Sequence, residues 1–373
     1  MLKDAKAPDP EAQGQYPPMN GNVYDLARED FPVPELVLIT LRDGLGCEKF
    51  GPFEKCRWSV PVVYRGIPFA FEYRKFGLVA LTIDDEATVA PLLSAFFTKL
   101  KKAVNATADA LKKLCQEQIA SLSVTVPNLF PDLDKMYRFF RECAAESYQR
   151  PDPPMRVTAV NARGEPSAWA GSLLQGPREG FYHTTAMLNA YFSRLEYALV
   201  LVLPFANFDE SGFDLLDYIG SNWDDKYGRL FDLDKDKEAK RLYDRMKVAK
   251  ERYRNPIAHG GFEKGGASLC FHVPTVGALP ASLVAVRDSW TFSFIPIPEA
   301  SYEEICVLFD DVDAFLARAH TRYGWKFAES GLDVVFDGKT REGYRQAMAS
   351  EEAFEAMLEK LSLEVDYHRN MEY

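Results

Sequence analysis

Residues 252–261 have the sequence RYRNPIAHGG and carry the residue types best suited to catalysis. Arg254 and His259 are separated by four residues, and Asn255 directly follows the arginine. A histidine titrates near neutral pH and can move a proton at a ribose 2′-hydroxyl or at a leaving 5′-oxygen. An arginine can hold and neutralise the scissile phosphate through two parallel hydrogen bonds. The pair therefore has the groups that metal-free RNA cleavage needs.

The stretch that leads into this segment is basic, although the chain as a whole is acidic. The chain has a net charge of −11, whereas residues 235–254 carry nine basic and four acidic side chains. Lys247, Lys250 and Arg254 follow an i, i+3, i+7 spacing and so share one face of a helix. This face could guide the phosphate backbone of RNA towards Arg254. A solvated helix face without a ligand is the alternative.

Other catalytic signatures and metal sites are not predicted. The motifs GxSxG and GxGxxG do not occur, and the sequence Gly-Lys-Thr at 338–340 predicts a turn because Asp333 replaces the upstream glycine of a phosphate-binding loop. The six cysteines form no CxxC pair, and Cys270 with His272 supplies only two of the four ligands of a structural zinc site. We therefore expect free thiols, no structural metal and no cofactor.

Long helices must position the basic segment. Apolar residues recur every three or four positions over 182–203, 236–254, 302–320 and 342–361. The second of these helices runs into Asn255-Pro256, so Arg254 through His259 lie at a helix end or kink. The C-terminal half of the first is apolar all round and must be buried, either in a bundle or against a second subunit. Strand-like runs at 269–273, 283–286 and 291–295 predict an inserted β-hairpin.

The N-terminal half is strand-like and ends in one long helix. Strand patterns occupy 36–39, 58–64, 69–76 and 78–83, and a helical pattern follows over 88–121. Phe69, Phe71 and Tyr73 alternate onto one sheet face, which predicts a hydrophobic core rather than a platform for stacking bases. The predicted fold class is α+β: a small antiparallel sheet with a long helix, then an α-helical bundle with a β-hairpin insertion.

Composition divides the chain into five regions. Few apolar residues and frequent Pro, Asp and Gly predict a flexible tail over 1–25, before an α+β domain over 26–125. Frequent prolines predict a linker region over 126–177. A helical domain over 178–330 and a C-terminal helical extension over 331–373 complete the chain.

The overall composition favours a folded protein of the cell interior. The chain has 373 residues, 47% of them hydrophobic and 27% charged, which is an ordinary globular balance. The longest apolar stretch, 198–206, is interrupted by Pro204 and is shorter than the ~20 residues of a membrane span. The N-terminus lacks the apolar centre of a secretory signal. We therefore expect a cytoplasmic protein without a membrane partner.

The sequence Arg254-Asn255-x-x-x-His259, after an amphipathic helix and before glycine, resembles the RxxxxH motif of HEPN-domain proteins. The helical pattern over 178–322 is similar to the bundle of that family. In the family, two protomers bring their motifs together across a two-fold interface to form one RNase site. The resemblance implies a homodimer in which Arg254 and His259 are catalytic, with Asn255 as a polar assistant and Glu196 as a further assisting residue.

Residues and resemblance together favour a metal-independent endoribonuclease in phage defence or a toxin-like stress response. Its substrate would be RNA such as tRNA or mRNA, cleaved by attack of the 2′-hydroxyl to leave a 2′,3′-cyclic phosphate. The N-terminal domain would then respond to an unknown activator or inhibitor. The alternative is a non-catalytic HEPN-like module for dimerisation or for ligand or RNA binding, in which Arg254 pairs with a carboxylate and His259 caps a helix.

Overall fold

The computed structural model describes residues 2–9, 21–84, 86–171, 173–208, 210–255, 269–275, 277–281 and 296–370. The chain forms two compact units, Met1–Ile119 with Leu363–Tyr373, and Ala120–Ser362. The fold is α+β, because an antiparallel sheet dominates the first unit and helices dominate the second.

The first unit contains a five-stranded antiparallel sheet with the strand order β1-β3-β4-β5-β2. The strands are β1 (Ala5–Lys6), β2 (Asn22–Asp25), β3 (Cys56–Tyr64), β4 (Ile67–Arg74) and β5 (Gly77–Thr82). The edge strands β1 and β2 come from residues 1–25, where sequence analysis predicts a flexible tail. Their backbone groups form hydrogen bonds with β3 and β5. Local composition does not reveal these long-range bonds.

Helix α2 (Glu86–Ala120) packs its apolar stripe on one face of this sheet. The ring of Phe96 stacks on Tyr64 with ring centres 4.3 Å apart and meets Phe71 edge-on at 5.5 Å. Phe69 and Phe71 are fully buried. The prediction that these aromatic residues form a core face is confirmed.

The prediction of a strand at 36–39 is wrong, because these residues belong to helix α1 (Pro34–Leu45). A short apolar run has no periodicity that separates a buried strand from a buried helix. Pro34 at the first turn and Gly46, with φ 71°, just after the last one are the start and stop signals that favour a helix here.

The second unit consists mainly of helices. They are α3 (Phe130–Gln149), α4 (Gln175–Val202), a 3₁₀ turn (Leu203–Phe205), α5 (Leu215–Gly220), α6 (Trp223–Leu230), α7 (Lys237–Ala249), a π-helix (Lys250–Arg254), α8 (Glu299–Leu316), α9 (Arg322–Glu329), α10 (Gly338–Ala347) and the start of α11 (Glu351–Asn370). Antiparallel strand pairs are β6 (Thr125–Val126) with β11 (Val334–Val335), β7 (Arg156–Val160) with β8 (Pro166–Ala170), and β9 (Leu269–Val273) with β10 (Gly277–Ala281). Helix α3, within the predicted linker, packs along α4.

Three predictions for this unit differ from the structure. The prediction of a turn at 338–340 is wrong, because these residues begin helix α10 after the N-cap residue Asp337. The predicted helix over 342–361 is divided into α10 and α11, because the Ser350 Oγ accepts a hydrogen bond from the Ala353 backbone N–H at 3.1 Å and starts a new helix. The inserted hairpin is present as β9 and β10. The strands predicted at 283–286 and 291–295 lie outside the described residues.

Helix α4 lies in the core of the unit. Its apolar C-terminal half is buried by other helices of the same chain: a Cβ on Gly324 of α9 would lie 3.0 Å from the Val202 Cα. The helix with its 3₁₀ turn is long and apolar enough to cross a membrane, but 72% of the relevant window is buried inside the structure. Such burial is typical of a core helix in a soluble protein.

A buried arginine joins three helices of this unit. Arg194 of α4 is 1% exposed and pairs with Asp134 of α3 and Asp313 of α8. Its guanidinium carbon lies 4.8 Å from the ring centre of Tyr137 and 5.0 Å from that of Tyr191. Because a buried charge is costly without partners, this cluster constrains how α3, α4 and α8 meet.

Candidate functional site around Arg254

Helix α7 carries most of the basic residues and leads into Arg254. Asp236 caps its N-terminus, where its carboxylate accepts hydrogen bonds from the backbone N–H groups of Glu238 at 3.0 Å and Ala239 at 2.9 Å. The apolar stripe is buried and consists of Ala239, Leu242, Met246 and Ala249. Helix α7 packs against α6 and α8, so this stripe determines which of its faces stays exposed.

The last turn before the motif is a π-helix, Lys250–Arg254. The backbone N–H of Asn255 donates to the carbonyl of Lys250, five residues earlier. A π turn widens the helix and shifts the following side chains relative to an α-helical repeat, and such turns are frequent at functional sites. This turn packs against α4, which brings Arg254 next to that helix.

Arg254 is half-buried and contacts two neutral amides. Its Nε donates to Oδ1 of Asn189 at 3.3 Å, and its Nη1 donates to Oδ1 of Asn255 at 3.4 Å. The Nδ2 of Asn189 donates to the carbonyl of Thr185 at 3.0 Å, which orients the amide towards Arg254. Among the described residues, no carboxylate forms an ion pair with Arg254. Its positive charge is therefore available to an anion.

Sequence analysis does not identify Asn189 as a site residue. The signal that could have found it is a polar stripe on α4: Thr185, Asn189 and Ser193 recur every four residues on a helix that is otherwise largely apolar. Asn189 and Ser193 are exposed. Only the packing of the π-helix on α4 links this stripe to Arg254.

Glu196 lies elsewhere on α4 and contacts a different residue. Its Oε1 is 3.3 Å from the Nζ of Lys226, a side chain that is 1% exposed. Lys226 also donates to the carbonyls of Ile219 at 2.8 Å and Ser221 at 2.6 Å. Glu196 is two helical turns from Asn189, about 10 Å along the axis. The structure therefore does not bring Glu196 to Arg254, and this carboxylate helps to hold the loop before α6.

Some cations of α7 and the π-helix pair with carboxylates, and others do not. Lys240 pairs with Asp244 at 2.6 Å, and Arg245 with Asp311 at 2.7 Å. Lys247 is exposed, and within the described ranges it has no ion-pair partner. The Nζ of Lys250 lies 5.7 Å from the ring centre of Trp223. Among the described residues, cations without a carboxylate partner therefore include Lys247 and Lys250 beside Arg254, and also Lys237 and Arg241 further back in α7.

A groove lies between α7, the π-helix and α8. Its volume is 330 Å³, and the residues that line it include Arg245, Val248, Arg252, Tyr253 and Leu308. The guanidinium carbon of Arg252 lies 5.1 Å from the ring centre of Tyr253, the residue directly before Arg254. An aromatic ring with a flanking cation is a suitable surface for a nucleobase.

His259 lies outside the described residues, and Asn255 is the last described residue before it.

In the parts of the chain that the structure describes, no three His, Cys, Asp or Glu side chains cluster as metal ligands. Burial raises the pKa of the thiols of Cys47 and Cys56 to about 11, so both stay protonated and are poor nucleophiles at neutral pH.

Comparison with known proteins adds no further constraint on this site. No family model, no curated protein and no solved structure matches the chain. The functional argument therefore depends on the residues around Arg254.

Proposed function

We propose that this protein is a metal-independent endoribonuclease of the HEPN type, with Arg254 and His259 as its catalytic residues. It acts on RNA such as tRNA or mRNA in the cytoplasm, in phage defence or a toxin-like stress response. Two copies form a homodimer whose motifs contribute to one site. The first unit responds to an activator or inhibitor.

One observation carries this proposal: among the described residues, the side-chain partners of Arg254 are amides and not carboxylates. A guanidinium that is already paired with Asp or Glu would bind phosphate only by displacing that carboxylate. Held by Asn189 and Asn255, Arg254 keeps its full charge and free donors for a phosphodiester. This arrangement supports a catalytic role and disfavours the alternative in which Arg254 pairs with a carboxylate.

The proposed reaction transfers the phosphorus from the 5′-oxygen to the 2′-oxygen of the preceding ribose. The 2′-oxygen forms a bond to phosphorus while the bond to the 5′-oxygen breaks, which leaves a 2′,3′-cyclic phosphate and a free 5′-hydroxyl. His259 moves the proton at the 2′-hydroxyl or at the leaving 5′-oxygen. Arg254 neutralises the charge that develops on the phosphate, and Asn255 and Asn189 orient its guanidinium.

Unpaired cations beside the motif support RNA as the substrate. Lys247 near the end of α7 and Lys250 at the start of the π-helix precede Arg254 in the chain, and neither has a carboxylate partner among the described residues. Each phosphate that they neutralise releases a counterion, so binding should weaken as salt increases. The net charge of −11 makes such a local basic surface the part of the protein that polyanions approach.

The test is cleavage of total RNA and tRNA in EDTA, with analysis of the product ends. Wild-type protein should cleave, and Arg254→Ala and His259→Ala should each lose about 100-fold or more in rate. Two matched controls should cleave normally: Arg318→Ala, which removes an exposed arginine that pairs with Glu238, and His320→Ala, which removes an exposed histidine.

Other outcomes would redirect or refute the proposal. Cleavage by the Arg254→Ala variant at the wild-type rate would refute the catalytic assignment. RNA binding that depends on Arg254, with no cleavage under any condition, would instead support the non-catalytic binding module. Full specific activity at concentrations where light scattering shows only monomers would refute the shared homodimeric site.

A further inference from the structure

A second basic pocket lies in the same unit, where the 3₁₀ turn after α4 meets α10. It is lined by Pro204, Ala206, Asn207, Phe208, Glu210, Arg341 and Arg345, and its volume is 290 Å³. We name it the Arg341 pocket. Its volume is at the lower end of the range of about 300–1,000 Å³ that is usual for ligand pockets, so it suits a small ligand.

Arg341 is the buried charge of this pocket. Its side chain is 6% exposed, and its Nε donates to the carbonyl of Phe336 at 2.8 Å. Nη1 and Nη2 both face Glu210, at 2.7 Å from Oε1 and 2.7 Å from Oε2 respectively. The Phe208 ring centre lies 5.2 Å from the guanidinium carbon. The guanidinium is therefore fixed in orientation, and its Nη1 and Nη2 atoms face the pocket on the side of Glu210.

Glu210, in contrast, is an exposed partner. Its side chain is 52% exposed, in the connection between the 3₁₀ turn and α5. The hydrogen bond from Arg341 lowers the pKa of Glu210, so the carboxylate is charged at neutral pH. A buried guanidinium needs an anion, but an exposed carboxylate gains little from this pair. Glu210 is therefore the exposed member of the pair and the group that a ligand oxyanion would displace.

Arg345 supplies a second cation to the same pocket. It lies one helical turn after Arg341 on α10, its side chain is 51% exposed, and it pairs with Glu342 at 3.1 Å. Two guanidinium groups that line one small pocket match a phosphate or a carboxylate group. The nearby N-terminus of α10 is not the site, because the carboxylate of Asp337 already accepts from the backbone N–H groups of Lys339 and Thr340.

We propose that the Arg341 pocket binds a small ligand through its phosphate or carboxylate group, which replaces the carboxylate of Glu210. The charged group of the ligand takes the bidentate position on Arg341, and Arg345 adds a second contact. Phe208 and Pro204 form the apolar wall for the rest of the ligand. This site is separate from Arg254 and does not depend on the proposed cleavage.

The experiment is isothermal titration calorimetry on the full chain, with pyrophosphate and citrate as probes at constant ionic strength. Glu210→Gln removes the competing charge and should bind about fivefold more tightly than wild type. Arg345→Gln should bind at least about fivefold more weakly. Glu351→Gln, which removes a carboxylate paired with Lys326 outside the pocket lining, should bind like wild type.

The two probes distinguish a ligand with a phosphate group from a ligand with a carboxylate group. Binding of pyrophosphate alone indicates a phosphate ligand, binding of citrate alone indicates a carboxylate ligand, and binding of both indicates a general oxyanion site. The proposal is wrong if neither probe binds to wild type or to Glu210→Gln, or if Arg345→Gln leaves the affinity unchanged. Equal gains in Glu210→Gln and Glu351→Gln would also overturn it, because they would show only an effect of net charge.

Discussion

Among the described residues, the two side-chain partners of Arg254 are amides, and no carboxylate neutralises its charge. An amide oxygen orients a guanidinium through one hydrogen bond without neutralising it, whereas a carboxylate does both. Asn189 in particular is held by its own hydrogen bond to the Thr185 carbonyl. The net charge around Arg254 therefore depends on whether the side chain beside it is an amide or a carboxylate.

The first prediction concerns Asn189. Replacement of Asn189 by Asp places a carboxylate at the 3.3 Å contact and should neutralise Arg254, so RNA cleavage should fall by about 100-fold. Asn189→Ala removes only the orienting contact and should reduce the rate by less than about tenfold. Cleavage rates and thermal melts measure both effects.

A control variant separates this local effect from a general one. Gln149→Glu adds the same charge at the exposed end of α3 and should cleave like wild type. Equal rates for Asn189→Asp and wild type would show that Arg254 does not need its positive charge for cleavage.

The second prediction concerns Lys247, whose charge has no ion-pair partner among the described residues. Lys247→Gln should weaken RNA binding by about two- to fivefold and reduce the slope of log affinity against log salt by about 1. Lys240→Gln is the matched control, because Lys240 pairs with Asp244 at 2.6 Å and contributes less free charge. Titration of labelled RNA at several salt concentrations measures both slopes, and identical slopes would contradict the prediction.

At the scale of elements, the Arg194 cluster is the main polar contact among α3, α4 and α8. Arg194 is 1% exposed, and each of its two carboxylate partners comes from a different helix. Apolar packing holds helices together through shape and buried area, without directional bonds. A buried ion pair is directional, because each displacement leaves a charge without a partner.

The third prediction is that Arg194→Met destabilises the second unit by about 3–5 kcal/mol, because Asp134 and Asp313 lose their common cation. Arg138→Met is the matched control: Arg138 also pairs with Asp134, but its side chain is 68% exposed. Its loss should cost at most about 1 kcal/mol. Urea unfolding followed by circular dichroism measures both values, and equal costs would show that burial does not determine the strength of these pairs.

At the scale of the whole molecule, the chain has two units with separate cores. The core that packs the sheet against α2 contains residues between Leu2 and Val104, all of them in the first unit. The site around Arg254 and the Arg341 pocket both lie within Ala120–Ser362. The residues of both proposed sites therefore belong to the second unit.

The fourth prediction is that residues 120–362, produced alone, fold cooperatively and bind RNA through Arg254. Their core is formed by α3, α4, α8 and α9, which all lie within this fragment. Thermal unfolding followed by circular dichroism should show one sharp transition. A broad transition would contradict the prediction, because it indicates a fragment without fixed tertiary structure. It would show that the second unit needs the first in order to fold.

The sequence by itself determined the α+β class, the long helices and the amphipathic stripe of α7, because these depend on periodicity along the chain. It also determined which residues could supply chemistry at 252–261. Tertiary structure decided the rest. The edge strands β1 and β2 paired with β3 and β5, and Asn189 rather than Glu196 became the neighbour of Arg254. These outcomes depend on contacts between residues far apart in the chain, which no local pattern encodes.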